Sequence, residues 1–178
     1  METARLKLCP FELGDATRVR ELAGDYEIAR TTLHVPHPYP DDAAEAWIQS
    51  LHAAADEGRA YGFAVTRKTD GELLGVVSLG LVKEHQRAEL SYWMGRPYWG
   101  HGYTSEAARR LLDFGFNDLH LNRIFAFAFT DNPASTRVME KIGMQYEGTL
   151  RQHVCKWGEY KDLAAYGCLK SAFASNEE

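Results

Sequence analysis

"RPYWGHGYTSEAARRLL", residues 96–112, sets Gly100 and Gly102 one residue apart, where a strand-like run gives way to a helix-like one. A helix begins with unpaired amides and the positive end of its dipole, and bare backbone just before it lets an anion come close. Glycine also takes a left-handed backbone at little cost, so a plain turn reads the same way. A P-loop would place Lys and then Ser or Thr after its last glycine, but Gly102 is followed by Tyr103 and Thr104. A dinucleotide fingerprint would place a third glycine where Ser105 stands, inside an early βαβ unit. Two readings remain on this stretch alone: a turn built for geometry, and the cradle of some other anion.

The chain around it has 178 residues, enough for one domain with a sizeable core. A net charge of -5 gives no basic footprint of the kind non-specific nucleic-acid binding rests on. The three cysteines, Cys9, Cys155 and Cys168, are odd in number and widely spaced, which reads as reduced thiols and not as a disulfide or zinc framework. No apolar run is long enough for a membrane helix, and the first residues lack the order of a signal peptide, so the expected location is cytoplasmic.

Outward from the glycines, the periodicity predicts one α/β domain over 1–170 and a flexible tail over 171–178. "TARLKLCPF" alternates as a strand; Asp15 opens a helix running through Leu22, Tyr26 and Ile28. "TTLHVPHPYP" is a proline-stiffened loop, followed by a helix capped by Asp41 or Asp42 and stopped at Gly58. A hairpin turns at Asp70-Gly71, and "RAELSYWMG" is a further strand. In "NRIFAFAFT" the alanines and the phenylalanines fall on opposite sides, which predicts a strand covered on both faces. "DNPASTRVMEKIG" is a short helix with Pro133 at its start, and two strands around Trp157-Gly158 close the fold.

That short helix changes the balance of readings. Asn132 stands at its start, Ser135 lies one turn in, and Arg137 and Lys141 share a face at i, i+4. It follows the glycine loop by one strand, and two such β-to-α corners can flank one crevice. "AELSYWMGRPYWGHGYTSEAARRLLDFGF" together with "NRIFAFAFTDNPASTRVMEKIGMQYEGTLR" resembles the GCN5-related N-acetyltransferase superfamily. More narrowly, it is similar to the ribosomal-protein-N-acetyltransferase-like branch, from "RLKL" to "GCLK". The resemblance implies a mixed, mostly antiparallel sheet of about seven strands, splayed between the strands at 88–95 and 122–129 and flanked by about four helices. Acetyl-CoA is then the cosubstrate and lies in the opening. Its pyrophosphate is expected on the amides of Gly100, His101, Gly102, Tyr103 and Thr104, and its pantetheine on the backbone of Trp93 and Met94. Asn132 is expected at the pantetheine end, with Arg137 and Lys141 toward the phosphates. The superfamily pattern has Gln or Arg where Pro97 stands here; this removes one donor and leaves Tyr98 or Trp99 to compensate.

Acetyl transfer needs a base for the ammonium, a donor for the carbonyl oxygen and a route for the leaving thiolate. Glu89 is a charged residue on a central strand and is the candidate base; its other reading is an exposed or paired strand carboxylate. A backbone amide near Tyr92 or Trp93 is the candidate oxyanion donor. Ser135 is the candidate partner of the sulfur, or a helix cap beside Asn132. His34 and His37 lack a third ligand for zinc and read better as acceptor-pocket wall, and no metal is expected. Nothing local activates Cys155 as a nucleophile. Tyr146 and Tyr160 are placed at the acceptor site by analogy alone. The acceptor is a protein N-terminal α-amine or a small-molecule amine, and the family suggests a homodimer. The competing classes are a non-catalytic CoA-binding module and a nucleotide-binding protein.

Overall fold

Strand alternation builds one seven-stranded sheet, and helical periodicity covers parts of both its faces; the computed structural model describes residues 1–174. The strands are β1 (Leu6–Cys9), β2 (Ala60–Arg67), β3 (Leu73–Val82), β4 (Arg87–Met94), β5 (Arg123–Phe129), β6 (Gln145–Lys156) and β7 (Glu159–Leu169). Their spatial order is β1-β2-β3-β4-β5-β7-β6, antiparallel at every step except β4 beside β5. The helices are α1 (Ala16–Ala23), α2 (Tyr26–Thr31), α3 (Ala43–Asp56), α4 (Tyr103–Asp113), α5 (Pro133–Lys141) and α6 (Lys170–Ala174). None of the described helices is long and apolar enough to cross a membrane.

On one sheet face, Leu79, Ala88, Leu90, Ile124 and Ala126 bury against Ala107, Ala108, Leu111 and Leu112 of α4 and Met139 of α5. On the other, Ala64, Leu73 and Val76 meet Val19 of α1 and Ala44 and Ile48 of α3. The parallel pairing of β4 and β5 lasts only from Arg87↔Arg123 to Glu89↔Phe125, after which the strands part. The expected splay is therefore present, and it begins at Glu89.

Several local expectations need correction. The helix expected through Ile28 is two helices: Gly24 closes α1, and Asp25 caps α2 by accepting from Glu27 N–H at 2.8 Å. With α6, this makes six helices among the described residues, where about four were expected. The phenylalanine side of β5 is covered only in part: Phe129 is buried, but Phe125 and Phe127 are half-buried, the first beneath the Arg87 guanidinium and the second beside His153. The tail expected to be flexible from 171 starts as helix, since Phe173 is 3% exposed and packs on Phe116 at 5.1 Å between ring centroids. The rest of that stretch, 175–178, lies outside the described residues.

Candidate active site

Where β4 and β5 part, a cleft of about 1050 Å³ opens. From β4 it is lined by Glu89, Trp93 and Met94; from the following loop by Trp99, Gly100, Gly102 and Thr104; from α5 and its approach by Asn132, Ser135, Arg137 and Lys141. The glycine loop and the Asn132 helix thus share one crevice. His101 and Tyr103 are not side-chain walls of it; their rings stack on each other outside.

The loop's shape follows from its glycines. Gly100 and Gly102 both sit at φ +78°, and Gly102 is the residue before the first turn of α4. A Cβ on Gly100 would meet nothing within 4 Å, so the requirement is for backbone conformation, not for packing room. No backbone amide from Gly100 to Thr104 donates to an acceptor among the described residues. Arg5 braces the loop from outside: its Nη1 donates to His101 O at 3.0 Å, its Nε to Glu106 Oε2 at 2.7 Å, and its guanidinium lies 4.6 Å from the Tyr103 ring centroid. Burial works to raise the Glu106 carboxyl, but hydrogen bonds from Thr3 and Arg5 outweigh it and hold the group below its ordinary value. Pro97 lies in a short 3-10 turn ahead of the loop, and Trp99 Nε1 donates to Met94 O at 2.6 Å.

That last bond bears on the edge of β4. Gly95 N–H donates to Leu74 O at 2.8 Å on β3, so the alternation of an antiparallel ladder turns Trp93's peptide groups toward β3 as well. The groups facing the gap are those of Tyr92 and Met94, with the Met94 carbonyl engaged by Trp99. Trp93 itself reaches the cleft through its side chain.

Glu89 projects from the same sheet face as Ser91 and Trp93, opposite the α4 side. Its side chain keeps contact with solvent in the cleft, and it forms no ion pair or hydrogen bond with another described residue. Crowding by the cleft walls raises its carboxyl above its ordinary value, and the charge of His34 works the other way. At the opposite wall, Asn132 Oδ1 accepts from Ser135 N–H at 3.3 Å and caps α5. Tyr92 Oη lies 3.0 Å from Ser135 Oγ and donates to Ser135 O at 3.1 Å. Burial pushes the Tyr92 hydroxyl up to about 12, against a smaller opposite effect of the Ser135 bond, so it stays protonated. Arg137 and Lys141 are exposed at the cleft and form no ion pair among the described residues.

The cleft lining also includes His34 and part of the proline-rich loop, expected as the acceptor wall, together with His153 of β6. Tyr146 and Tyr160, expected there, are not: neither lines the cleft, and both are exposed on the outer hairpin. His37 lies outside as well, edge-on to Tyr26. The sequence reading missed the Tyr92 hydroxyl, His153 and a buried lysine, Lys156, behind the acceptor loop. Among the described residues, no three His, Cys, Asp or Glu side chains come together to hold a metal.

Comparison with known proteins agrees with this geometry. Residues 5–145 match the family model described as "Acetyltransferase (GNAT) domain". A Bacillus subtilis (strain 168) protein named "Uncharacterized N-acetyltransferase YoaA" is 35% identical over 171 residues, 96% of each chain. A crystal structure titled as an acetyltransferase (GNAT family) from Bacillus anthracis superposes with a TM-score of 0.87 at 26% identity, covering 96% of this chain and 98% of that one. The structure titled as the ribosomal L7/L12 alpha-N-protein acetyltransferase RimL in complex with coenzyme A has a TM-score of 0.88 over 96% of this chain and 97% of its own. Its identity is 18%, so that likeness concerns the fold.

Proposed function

The chain belongs to the GNAT acetyltransferase family and is an acetyl-CoA-dependent N-acetyltransferase; we propose that it acts by direct attack of a primary amine in a ternary complex assembled in the β4–β5 cleft. The observation that carries this is the position of Glu89. It stands where the strands part, between the glycine loop at one end of the cleft and the open acceptor face at the other.

The residues present suit the cosubstrate. Free amides from Gly100 to Thr104 at a helix start, with Arg137 and Lys141 unpaired nearby, suit its phosphates. The gap-facing backbone of Tyr92 and the Met94 N–H suit an extended amide chain, and Asn132 stands on the opposite wall. When bound, acetyl-CoA supplies an activated acetyl thioester. The protein's part is to hold the amine and move its proton. Glu89, unprotonated, takes a proton from the incoming ammonium directly or through one water, and its raised pKa makes it a stronger base than an exposed carboxylate. A gap-facing amide of β4 offers a hydrogen bond to the developing oxyanion. Ser135 Oγ–H donates toward the leaving sulfur, and the Tyr92 hydroxyl, by giving its one proton to Ser135 Oγ in place of Ser135 O, orients that hydroxyl as a positioning residue.

The acceptor belongs to the amine class, as a protein α-amine or a small molecule. A cytoplasmic location and a homodimer complete the proposal. Three free cysteines support the location, and family resemblance supports the dimer. Glu89→Gln tests the central assignment. It should lower kcat/KM by about 10²–10⁴ and abolish the acid limb of the pH profile, while CoA binding is unchanged. Full turnover by Glu89→Gln at every pH would remove Glu89 from the mechanism.

A further inference from the structure

Lys156, the last residue of β6, is a buried charge that the acetyl-transfer reading leaves unused. It is 7% exposed, yet it forms no ion pair with a carboxylate among the described residues. Its Nζ donates to Leu33 O at 3.1 Å and to Val35 O at 3.0 Å, and it lies 4.6 Å from the Trp157 ring centroid. A buried ammonium is costly unless its donors are satisfied; here two carbonyls and a ring face meet that need. Those two carbonyls flank a single residue, His34, so the backbone is pinned on both sides of it. His34 lines the cleft and acts on Glu89. Trp157 stacks on Tyr26 at 5.7 Å and 15°, which ties the same hairpin to the start of α2, just ahead of the loop.

We infer that Lys156 is a positioning residue of the acceptor site: it locks the loop at 33–35 so that His34 is held facing Glu89 and the loop forms a fixed wall of the amine pocket. Charged bonds to two carbonyls give a firmer hold than neutral donors would. The specificity of the device follows from which other charged or titratable groups line the cleft with Glu89 or stand beside it on β4. Arg87 lies over Phe125 on its own strand side, His153 comes from β6, Arg30 from α2 and Asp131 from the turn before α5. Of these groups and His34, the His34 charge is the one that acts on the Glu89 carboxyl. The inference deepens the reading of Glu89 as base and rests on it for its catalytic meaning, but its test does not pass through catalysis.

The test is an NMR titration of the Glu89 side-chain carboxyl in the full-length ¹³C-labelled protein, with the signal assigned by its loss in Glu89→Gln. His34→Gln removes the opposing charge, so the Glu89 pKa should move up. Lys156→Met keeps chain length and removes the ammonium; freeing the loop should move the Glu89 pKa in the same direction. The double variant should move it no further than either alone, because both act through one contact. Lys156→Arg, which keeps the cation and its donors, should restore the wild-type titration. Thermal unfolding of each variant shows that it is folded, and Lys156→Gln replaces Lys156→Met if the latter does not fold. The inference is overturned if folded Lys156→Met titrates as wild type, if His34→Gln leaves Glu89 unmoved, or if the two shifts add. The expected shifts in this series together with full turnover by Glu89→Gln would instead remove the base assignment and leave the clamp standing.

Discussion

Replacing Gly100 by alanine should damage CoA binding far more than it damages the fold. Gly100 lies at φ +78°, and the added Cβ would meet no atom within 4 Å, so the cost to the free protein is the backbone alone. Alanine in the left-handed region costs about 1–2 kcal/mol. Gly71 in the β2–β3 turn is a matched control: φ is +73°, its added Cβ also meets nothing, and it is not part of the cleft lining. Both variants should therefore lose similar stability, a drop in Tm of about 2–4 °C for each kcal/mol in a chain of this size. They should part company on ligand. Gly100→Ala relieves its strain by leaving the left-handed well, and that rotation turns the adjoining amides away from the mouth of α4. A hydrogen bond to a charged group is worth roughly 1.5–3 kcal/mol, so losing one such amide should weaken CoA binding about 10- to 100-fold. Calorimetric titration of CoA into each variant reads this directly and needs no knowledge of the acceptor. If Gly100→Ala bound CoA as wild type while losing the same Tm as Gly71→Ala, the amides from Gly100 onward would not be the phosphate cradle.

Two further outcomes follow from the opposite wall. Arg137→Ala and Lys141→Ala should each weaken CoA binding about two- to fivefold at low ionic strength, with the effect shrinking as salt is added, because both charges are exposed; salt-independent losses would point to packing instead. Ser135→Ala should lower kcat about 100-fold with CoA affinity retained, and Tyr92→Phe about tenfold, with the double variant no worse than Ser135→Ala alone. Additive losses in that cycle, measured by thiol release, would mean that Tyr92 does not act through Ser135.

The readability of this chain depends on how far apart interacting residues are. Alternation along 88–94 and 123–129 made both central strands legible, and the absence of Lys after Gly102 made the P-loop reading untenable without any structure. The break between α1 and α2 was not legible, because Leu22, Tyr26 and Ile28 keep helical spacing across it. Gly24 and the Asp25 cap decided it locally. The partly covered phenylalanine face of β5 was misread for a related reason. Apolar residues on both sides of a strand look doubly covered, yet of the three phenylalanines only Phe129 is buried, and Phe125 and Phe127 are half-buried. Lys156 gave no signal at all: a lysine in a polar hairpin looks solvated, and its two carbonyl partners lie more than a hundred residues earlier in the chain.

Ser135 shows why a structural and a chemical reading of one residue need not compete. The capping reading was that Ser135 sits beside Asn132 to complete the start of α5. The structure has that cap, but it uses Ser135's backbone: Asn132 Oδ1 accepts from Ser135 N–H. The Ser135 hydroxyl takes no part in it, and its protein partner is Tyr92 Oη on β4. One residue thus serves the helix with its amide and faces the cleft with its Oγ. The cap also fixes the rotation of the first turn of α5, and with it the direction of that hydroxyl. Removing the cap through Asn132 would therefore loosen Ser135 even if Asn132 never touched the cosubstrate, so loss of activity in an Asn132 variant cannot by itself assign Asn132 a contact with the pantetheine chain. The Ser135–Tyr92 cycle avoids that ambiguity, because both substitutions leave the backbone cap in place.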